Sequence, residues 1–306
     1  MKKELSILIP IYNYDCTEMV KDLCRQIDLL EPEGVCAEIV MAEDGSDYEE
    51  ALIANEAMAT WPYCRYIRRM QNAGRAAIRN FLAQQSSRRW LLFLDCDMQL
   101  PGDYFLRNYL TSEGEEVIDG GFGVKENPSM QGRNLRYTYE MKALPHHSQE
   151  QRSLNPYRSF RTTNFMIRRD IMLGHPFDER FLHYGYEDVL FGKELKKNGI
   201  GICHINNPMM LVDLEPNSIF TAKTEEAMRT LHQFRDDLRG YSHMLTYVDG
   251  IHLGIVRWAI RLWHRLFGKL ERRNLCGRRP SLKVFGIYKL GYYMTLKDNK
   301  QPTKAS

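Results

Sequence analysis

The chain has 306 residues, 43% of them hydrophobic and 26% charged, which is typical of a soluble globular protein with one large domain or one domain plus an appendage. It contains no apolar run of the roughly 18 to 20 residues that a membrane span needs, no secretory signal, and seven scattered cysteines without a C-x-x-C pair, so we expect a cytoplasmic protein without disulfides or structural zinc. The net charge of +3 is uneven, because residues 251–306 hold thirteen Lys or Arg against two acids, a charge of +11, and the rest of the chain carries −8.

The first hundred residues alternate between strand-like and helix-like patterns. A run of β-branched and other apolar residues at 5–10 is typical of a buried parallel strand, and Asp15 and Glu18 form a capping-box-like pair at the start of a helical pattern. Such alternation predicts an α/β fold with a mostly parallel sheet that has helices on both faces. We predict strands at 5–10, 38–42, 66–68 and 90–94, a turn at 43–46, and helices at 47–58 and 74–84.

The next hundred residues are less regular. Residues 125–155 are polar and indicate loops around a helix at 134–144, and order resumes at 160–167. A turn at 183–186 precedes a helix at 187–197, which Asn198 and Gly199 end.

Polar residues follow each of the four predicted strands. In parallel sheets, ligands bind beyond the carboxyl ends of the strands, so these groups should meet at one edge. Two of them, Asp95 and Asp97, follow an apolar strand at positions i and i+2 and therefore point to the same side. The groups are Tyr12-Asn13, Glu43-Asp44, the segment 72–75, and Asp95 with Asp97.

These polar segments resemble the motifs of the family 2 glycosyltransferases. The matches occur in the family's order over residues 5 to about 215, and several motifs in order are much more specific than any one of them. The matching segments are Ile9-Pro10-Ile11-Tyr12-Asn13 (P-x-Y-N), Glu43-Asp44-Gly45-Ser46-Asp47 (D-D-G-S-x-D), Asn72-Ala73-Gly74 through Ala77-Ile78-Arg79-Asn80 (N-x-G…A-x-R-N), Asp95-Cys96-Asp97 (D-x-D), and Tyr184-Gly185-Tyr186-Glu187-Asp188 (G-W/Y-E-D).

The resemblance implies a GT-A fold with a galactosyltransferase-like C-terminal half. It further implies an inverting hexosyltransferase that moves a sugar from a nucleoside diphosphate, most commonly UDP, to a hydroxyl of a glycan or lipid-linked acceptor in polysaccharide or glycolipid synthesis. Such a reaction needs a base for the acceptor and neutralisation of the leaving diphosphate. The resemblance assigns Asp97 as the ligand of Mn²⁺ or Mg²⁺ and Asp188 as the general base, with Glu187 as the competing base.

The same resemblance implies how the donor binds. Pro10, Tyr12 and Asp44 would cradle the nucleoside, with Tyr12 against the base and Asp44 accepting from a base N–H. Arg75 would face the base or phosphates, and Asp95 the ribose or a water near the metal. The full set implied to bind the nucleotide sugar is Pro10, Tyr12, Asn13, Glu43, Asp44, Asn72, Gly74, Arg75, Arg79 and Asp95.

One position departs from the family pattern. Some members carry a metal-binding histidine where this sequence has Leu211, and either Asp213 or His204 would have to substitute, although His204 is more often a packed strand-end residue. A catalytically inactive sugar-nucleotide binder is therefore an alternative. A nucleotidyltransferase is another, but it should carry a glycine-rich loop after the first strand. Nucleic-acid binding through the basic tail would leave the acidic motifs unexplained, so we expect no nucleic-acid partner.

The basic tail has apolar residues at helical spacing between positions 255 and 270, and they include Trp258 and Trp263. The pattern fits an amphipathic helix at the inner face of an anionic membrane, or a helix that packs on the catalytic domain with its arginines in water.

We predict a glycosyltransferase domain at 1–245, with a nucleotide-binding half at 1–100 and an acceptor half at 101–245, and a helical tail at 246–306.

Overall fold

The structure, a computed structural model, describes residues 1–297. Its strands are β1 (Glu4–Ile11), β2 (Cys36–Asp44), β3 (Cys64–Arg69), β4 (Trp90–Leu94), β5 (Met98–Gln99), β6 (Val117–Asp119), β7 (Phe122–Val124), β8 (Asn164–Arg168), β9 (Ile202–His204) and β10 (Met209–Leu211). Its helices are α1 (Thr17–Leu30), α2 (Glu49–Ala57), α3 (Arg75–Gln85), α4 (Phe105–Thr111), α5 (Leu135–Ala143), α6 (Gln149–Leu154), α7 (Pro156–Ser159), α8 (Arg169–Gly174), α9 (Glu187–Lys197), α10 (Asn217–Gln233), α11 (Arg235–Leu238), α12 (His243–Asp249), α13 (Gly254–Leu275) and α14 (Leu282–Thr295). Short 3₁₀ turns lie at Glu31–Glu33, Met58–Thr60, Pro128–Met130 and Leu144–His147.

The main sheet has the strand order β3-β2-β1-β4-β8-β6-β9. The pairs among β3, β2, β1 and β4 are parallel, as is the pair of β6 with β9, and only β8 runs antiparallel to its neighbours β4 and β6. A second sheet has the order β5-β10-β7. This arrangement confirms the predicted α/β class with a mostly parallel sheet.

The strand order changes direction between β1 and β4. From β1 the chain builds outward through β2 to β3, and then crosses back to add β4 on the opposite side of β1. At such a switch point the connections leave in opposite directions and open a crevice at the carboxyl ends of the two strands. Tyr12 and Asn13 after β1 and Asp95 after β4 therefore lie at the place where this kind of sheet binds ligands.

The sheet core is apolar on both sides of its central strands. Every residue of β4 is buried, and the Phe93 ring on β4 stacks on Phe165 of β8 at 4.9 Å between ring centroids. Phe177 stacks in turn on Phe191 of α9 at 4.0 Å. This aromatic packing fixes α9 against the sheet.

Helix α9 has the charges that favour a helix in isolation. Its first turn holds Glu187 and Asp188, its last turn holds Lys196 and Lys197, and Gly199 follows with φ of +69°. Acids near the amino end and lysines near the carboxyl end complement the helix dipole, and a left-handed glycine ends the helix.

By compactness the chain divides into two units. The first comprises residues 1–127, 140–183 and 187–214 and contains both sheets. The second comprises residues 128–139, 184–186 and 215–306, and its described part is helical, with a small core around Leu135, Leu275, Phe285 and Tyr288. The predicted division into 1–245 and 246–306 stays a prediction, and residues 298–306 of the predicted tail lie outside the described residues.

Two local predictions were wrong. Helix α1 begins at Thr17 after Cys16, and Asp15 Oδ1 accepts from the backbone N–H of Thr17 at 2.9 Å, so no capping box forms. Glu43 and Asp44 are not in a turn, because β2 continues through both of them while it pairs with β1 or β3. The strand β4 and the helix α9 occupy the predicted residues, and the other predicted strands and helices occur with shifted ends.

Within residues 1–297 we find no helix that has both the length and the apolar character of a membrane span.

Candidate active site

The loop after β1 is tied to the loop after β2 through Asn13. The Asn13 backbone has φ of +52°, a conformation that asparagine tolerates better than most residues. Its Oδ1 accepts from the backbone N–H of Asp47 at 2.8 Å and of Tyr48 at 3.0 Å, and its Nδ2 donates to Asp47 Oδ1 at 2.7 Å. The Asn13 side chain thus supports the loop, while the neighbouring Tyr12 ring is 54% exposed and Pro10 lies within β1.

The acids at the end of β2 are both buried. Glu43 accepts from Asn55 Nδ2 at 2.8 Å and from the Ser46 hydroxyl. The Asp44 carboxylate accepts from the backbone N–H groups of Ala73 at 3.1 Å and Gly74 at 3.0 Å, and from Arg69 at 3.2 Å.

Burial raises the pKa of Asp44, and these donors oppose that rise. Asp44 therefore anchors the loop after β3, and its contact with a nucleotide base stays a prediction.

The turn at Gly45 leaves no room for a side chain at that position. Gly45 has φ of +73°, and a Cβ there would lie 2.3 Å from the backbone N of Asn72. Asn72 is exposed, and its Oδ1 accepts from the N–H of Gly74 at 3.0 Å. Gly74, with φ of +89°, precedes the first residue of α3. The loops after β2 and β3 therefore approach each other closely just before α3 begins.

Two arginines of α3 join the D-x-D segment to the start of α9. Arg75 and Arg79 are one helical turn apart, and both donate to the Asp95 carboxylate, at 3.1 Å and 2.6 Å. Arg75 Nε also donates to Glu187 Oε1 at 2.9 Å. Arg79 is 1% exposed, whereas the side chain of Arg75 is 40% exposed. Four residues that the motifs separate by up to 112 positions thus form one ionic cluster, which we call the arginine–carboxylate cluster.

Asp188 follows directly in α9 and is half-buried. Burial and the nearby Glu187 raise the pKa of Asp188 to about 6, although Arg161, the Val189 N–H at 2.8 Å and Arg75 act in the opposite direction. A carboxyl group with this pKa changes its protonation state close to neutral pH, as a general base for an acceptor hydroxyl should.

Tyr14 is influenced by two acids, Asp213 and Asp97. The Tyr14 hydroxyl donates to Asp213 Oδ2, and burial, this hydrogen bond and the charges of Asp213 and Asp97 raise the pKa of Tyr14. Carboxylate oxygens are hard donors of the kind that suit Mg²⁺ or Mn²⁺ when phosphate oxygens and water complete the shell. Within residues 1–297 we find no group of three or more His, Cys, Asp or Glu side chains that could hold a metal ion.

The two other positions considered for a metal ligand, 211 and 204, lie on different strands. Leu211 on β10 pairs with Met98 of β5, the residue after Asp97, so it lies where the resemblance places a histidine but offers an apolar side chain. His204 is buried on β9, with its Nδ1 2.8 Å from Arg152 Nη1 and its Nε2 3.0 Å from the carbonyl oxygen of Pro156. His204 is therefore a packed strand-end histidine.

Sequence reasoning missed Arg161 and Tyr14. The backbone N–H of Arg161 donates to Asp119 Oδ2 at 3.1 Å, and its charge lowers the pKa of Asp188. Arg161 precedes β8, and an antiparallel strand begins at the edge where its neighbours end. No motif marks this residue, and only knowledge of the direction of β8 could have identified it.

The backbone before α9 is unusual. Gly185 and Tyr186 have φ of +97° and +71°, and Tyr186 is one of three non-glycine residues with positive φ among residues 1–297. Such conformations are costly for residues other than glycine and cluster at functional sites.

Comparison with solved structures finds the same fold in a glycosyltransferase. A mannosyltransferase from Pyrobaculum calidifontis, PcManGT, in complex with GDP-mannose and Mn²⁺, aligns with a TM-score of 0.57 at 12% identity over 96% of this chain and 85% of that one. S. aureus TarS 1–349 with UDP-GlcNAc aligns with a TM-score of 0.49 at 15% identity over 96% and 90%. Glucosyl-3-phosphoglycerate synthase from Mycobacterium tuberculosis, with Mn²⁺, UDP and glucosyl-3-phosphoglycerate, aligns with a TM-score of 0.46 at 17% identity over 75% and 79%. No curated protein was found to match in sequence.

The family comparison covers more than half of the chain. The model described as glycosyl transferase family 2 matches residues 6–174, which include the segments after β1, β2, β3 and β4. The match ends before Tyr184, so the galactosyltransferase-like character of the C-terminal half stays a prediction. The α/β fold is that of the GT-A glycosyltransferases, and the chain belongs to glycosyl transferase family 2.

Proposed function

We propose that the protein transfers a sugar from a nucleoside diphosphate to an acceptor hydroxyl with inversion at the anomeric carbon. The observation that carries this proposal is the arginine–carboxylate cluster, in which Arg75 contacts both Asp95 and Glu187. It brings the D-x-D segment and the start of α9 within the span of one guanidinium group. A donor site and an acceptor base have to be this close for a single displacement.

Asp188 is the proposed general base. The competing Glu187 is bound to Arg75 at 2.9 Å and lies 3.9 Å from Arg79, so its negative charge is neutralised by two guanidinium groups. Burial and the nearby Glu187 raise the pKa of Asp188 to about 6, which suits a carboxylate that accepts a proton near neutral pH. Asp188 would accept the proton of the attacking hydroxyl as the bond to the anomeric carbon forms and the diphosphate leaves.

The donor side would use the ends of β1 and β4. Tyr12, exposed at the switch point, offers a ring for the base, and Arg75 offers a partly exposed cation for the diphosphate. Asp97, with Asp213 next to Tyr14, would hold Mn²⁺ or Mg²⁺. When bound, that ion would stabilise the charge of the leaving diphosphate. The mannosyltransferase with the same fold binds GDP-mannose and Mn²⁺.

The remaining assignments are proposals of the same kind. We place UDP as the first donor nucleotide to test and a glycan or lipid-linked sugar as the acceptor, in polysaccharide or glycolipid synthesis. Pro10, Asn13, Glu43, Asn72 and Gly74 would shape the donor site through the backbone and loop contacts described above. We also propose the domain boundary at residue 245.

The experiment is a screen of nucleotide sugars for binding and for slow donor hydrolysis with Mn²⁺ present, followed by two variants. We expect Asp188→Asn to keep donor binding and to lower hydrolysis or transfer by about a hundredfold or more. Glu187→Gln should be milder, and the reverse order would exchange the two roles.

One observation favours a second candidate, an inactive sugar-nucleotide binder. Leu211 beside the D-x-D segment removes a ligand that the resemblance would supply. Binding of a nucleotide sugar by the wild-type protein without turnover would support that candidate. If no nucleotide sugar binds, both functions are wrong.

A further inference from the structure

Helix α13 packs through its polar side. The residues that it buries near its middle and end are Gly268, Glu271 and Leu275. Glu271 accepts from Trp263 Nε1 at 2.7 Å and lies 3.3 Å from His264 Nδ1. The His264 ring lies 5.2 Å from that of Tyr288 on α14, so these polar groups face the packed side of the helix.

The apolar side of α13 faces outward. Six apolar side chains are 37% to 74% exposed, and at 100° per residue they cover an arc opposite Gly268 and Glu271. This outer face of α13 consists of Ile255, Trp258, Leu262, Trp263, Leu266 and Leu270.

This orientation is the reverse of what an amphipathic helix adopts when it stabilises a protein core. Scattered exposed apolar residues are ordinary, but a contiguous apolar stripe with two tryptophans indicates an interaction surface. These six residues are exposed and are not part of the small core of the second unit.

The charges beside the outer face identify the kind of partner. Arg265 and Lys269 lie on α13 along one edge of the face, and Arg273, Arg278 and Arg279 follow at its end, all of them exposed. Glu271, which is buried, is the only acid between residues 251 and 297. A second copy of this chain would bring two basic edges together, which is unfavourable. An anionic surface with an apolar interior matches both properties.

We propose that the outer face of α13 inserts into the headgroup layer of a membrane that contains anionic phospholipid. The apolar side chains would enter the boundary between headgroups and acyl chains, tryptophans are favoured at that depth, and the arginines and lysine would remain at the phosphates. The proposal does not rest on the transfer activity, since it concerns binding alone.

Binding is tested with the full chain and vesicles of phosphatidylcholine, with and without phosphatidylglycerol. We expect sedimentation with the anionic vesicles and less of it as salt rises. Vesicles that carry brominated acyl chains should quench the tryptophan emission of the wild-type protein. The Trp258→Phe/Trp263→Phe double variant should lose that quenching, because Trp61 and Trp90 lie outside α13.

Two variants separate the apolar and the ionic parts. Leu266→Glu should abolish vesicle binding, whereas Ile53→Glu also replaces an aliphatic residue with glutamate, at a similarly exposed site on α2, and should leave binding intact. Arg265→Gln combined with Lys269→Gln should weaken binding more than about tenfold, because each basic residue near the surface contributes about fivefold. Unchanged melting curves would establish that the variants are folded.

Two results would overturn the proposal. One is equal binding of Leu266→Glu and the wild-type protein to anionic vesicles, since charge alone would then suffice. The other is a stable dimer in sedimentation that Leu266→Glu dissociates, without vesicle binding by either protein. That result would assign the outer face to a second copy of the chain.

Discussion

At the scale of single residues, the proposed metal site depends on Asp97. A carboxylate at the edge of the sheet contributes little to packing, so we predict that Asp97→Asn abolishes Mn²⁺-dependent binding of UDP and changes the melting temperature little. Titration calorimetry with UDP and Mn²⁺ measures the affinity. Asp103→Asn is the matched control, because Asp103 is an exposed acid that pairs with Arg25. Unchanged affinity in Asp97→Asn would remove Asp97 from the metal site.

The raised pKa of Asp188 predicts how transfer activity depends on pH. With a pKa of about 6, Asp188 loses its basic form as the pH falls through 6, so transfer should decline there with one protonation. The pH profile of kcat with saturating donor and acceptor measures this limb. A wild-type profile that stays flat from pH 5 to 7, values about one unit either side of this pKa, would contradict Asp188 as the base.

The acidic limb of this pH profile should shift in opposite directions in two variants. Glu187→Gln removes a negative neighbour and should shift the limb to lower pH, whereas Arg161→Ala removes a positive neighbour and should shift it to higher pH. Shifts of the same sign in the two variants would mean that the limb belongs to another group.

The pKa of Asp188 also predicts how stability depends on pH. Because this pKa is higher in the folded state than in the unfolded state, ionisation of Asp188 lowers the free energy of unfolding as the pH rises, and the loss is complete above about 6. Asp188→Asn should therefore raise the melting temperature at pH 8 more than at pH 5.

At the scale of elements, substitution of two glycines tests how closely the loops after β2 and β3 approach each other. Gly45→Ala forces a Cβ to 2.3 Å from the Asn72 backbone, whereas Gly34→Ala has nothing within 4 Å, and both have φ near +75°. We predict that Gly34→Ala costs about 1 kcal/mol for the backbone conformation alone and that Gly45→Ala costs clearly more. Urea denaturation of both variants gives the comparison. Equal losses would mean that the loop after β3 moves aside without cost.

Part of this architecture could be predicted from the sequence. The apolar run at Trp90–Leu94 specifies a strand that is buried on both faces, and the charges at the two ends of α9 specify its limits. The end of β2 could not be predicted in the same way, because pairing with β1 and β3 keeps Glu43 and Asp44 extended although the sequence Asp44-Gly45-Ser46 is typical of a turn. The helical period of α13 predicted an apolar stripe, but periodicity does not specify which side of a helix faces inward.

The sequence predicted which residues belong to the candidate site better than it predicted the contacts among them. Motif order identified Arg75, Asp95 and Glu187, and the sheet topology then explains why they meet. The bonds among them depend on side-chain geometry that no spacing encodes. Asp44 illustrates the difference, because its carboxylate accepts from Ala73 and Gly74 in the neighbouring loop.

At the scale of the whole molecule, ligand binding should appear as stability. A ligand that binds only the folded state stabilises it by about 2.7 kcal/mol at one hundred times its Kd. Since Asp97 and Asp213 would hold the ion together with phosphate oxygens, we predict that Mn²⁺ with UDP raises the melting temperature much more than either one alone. Differential scanning calorimetry with the four combinations measures this coupling. Equal stabilisation by Mn²⁺ alone would indicate a metal site that forms without nucleotide.

The arginine–carboxylate cluster also restricts how this enzyme can evolve. Removal of one partner leaves a buried charge without compensation, at a cost of about 3 to 5 kcal/mol, and Arg79 is almost completely buried between Asp95 and Glu187. Asp95 and Glu187, which we propose lie on the donor and acceptor sides, share these arginines, so a substitution at one changes the ionic environment of the other. A lineage that acquires a new sugar or a new acceptor would therefore change at exposed positions such as Tyr12 and keep the cluster intact.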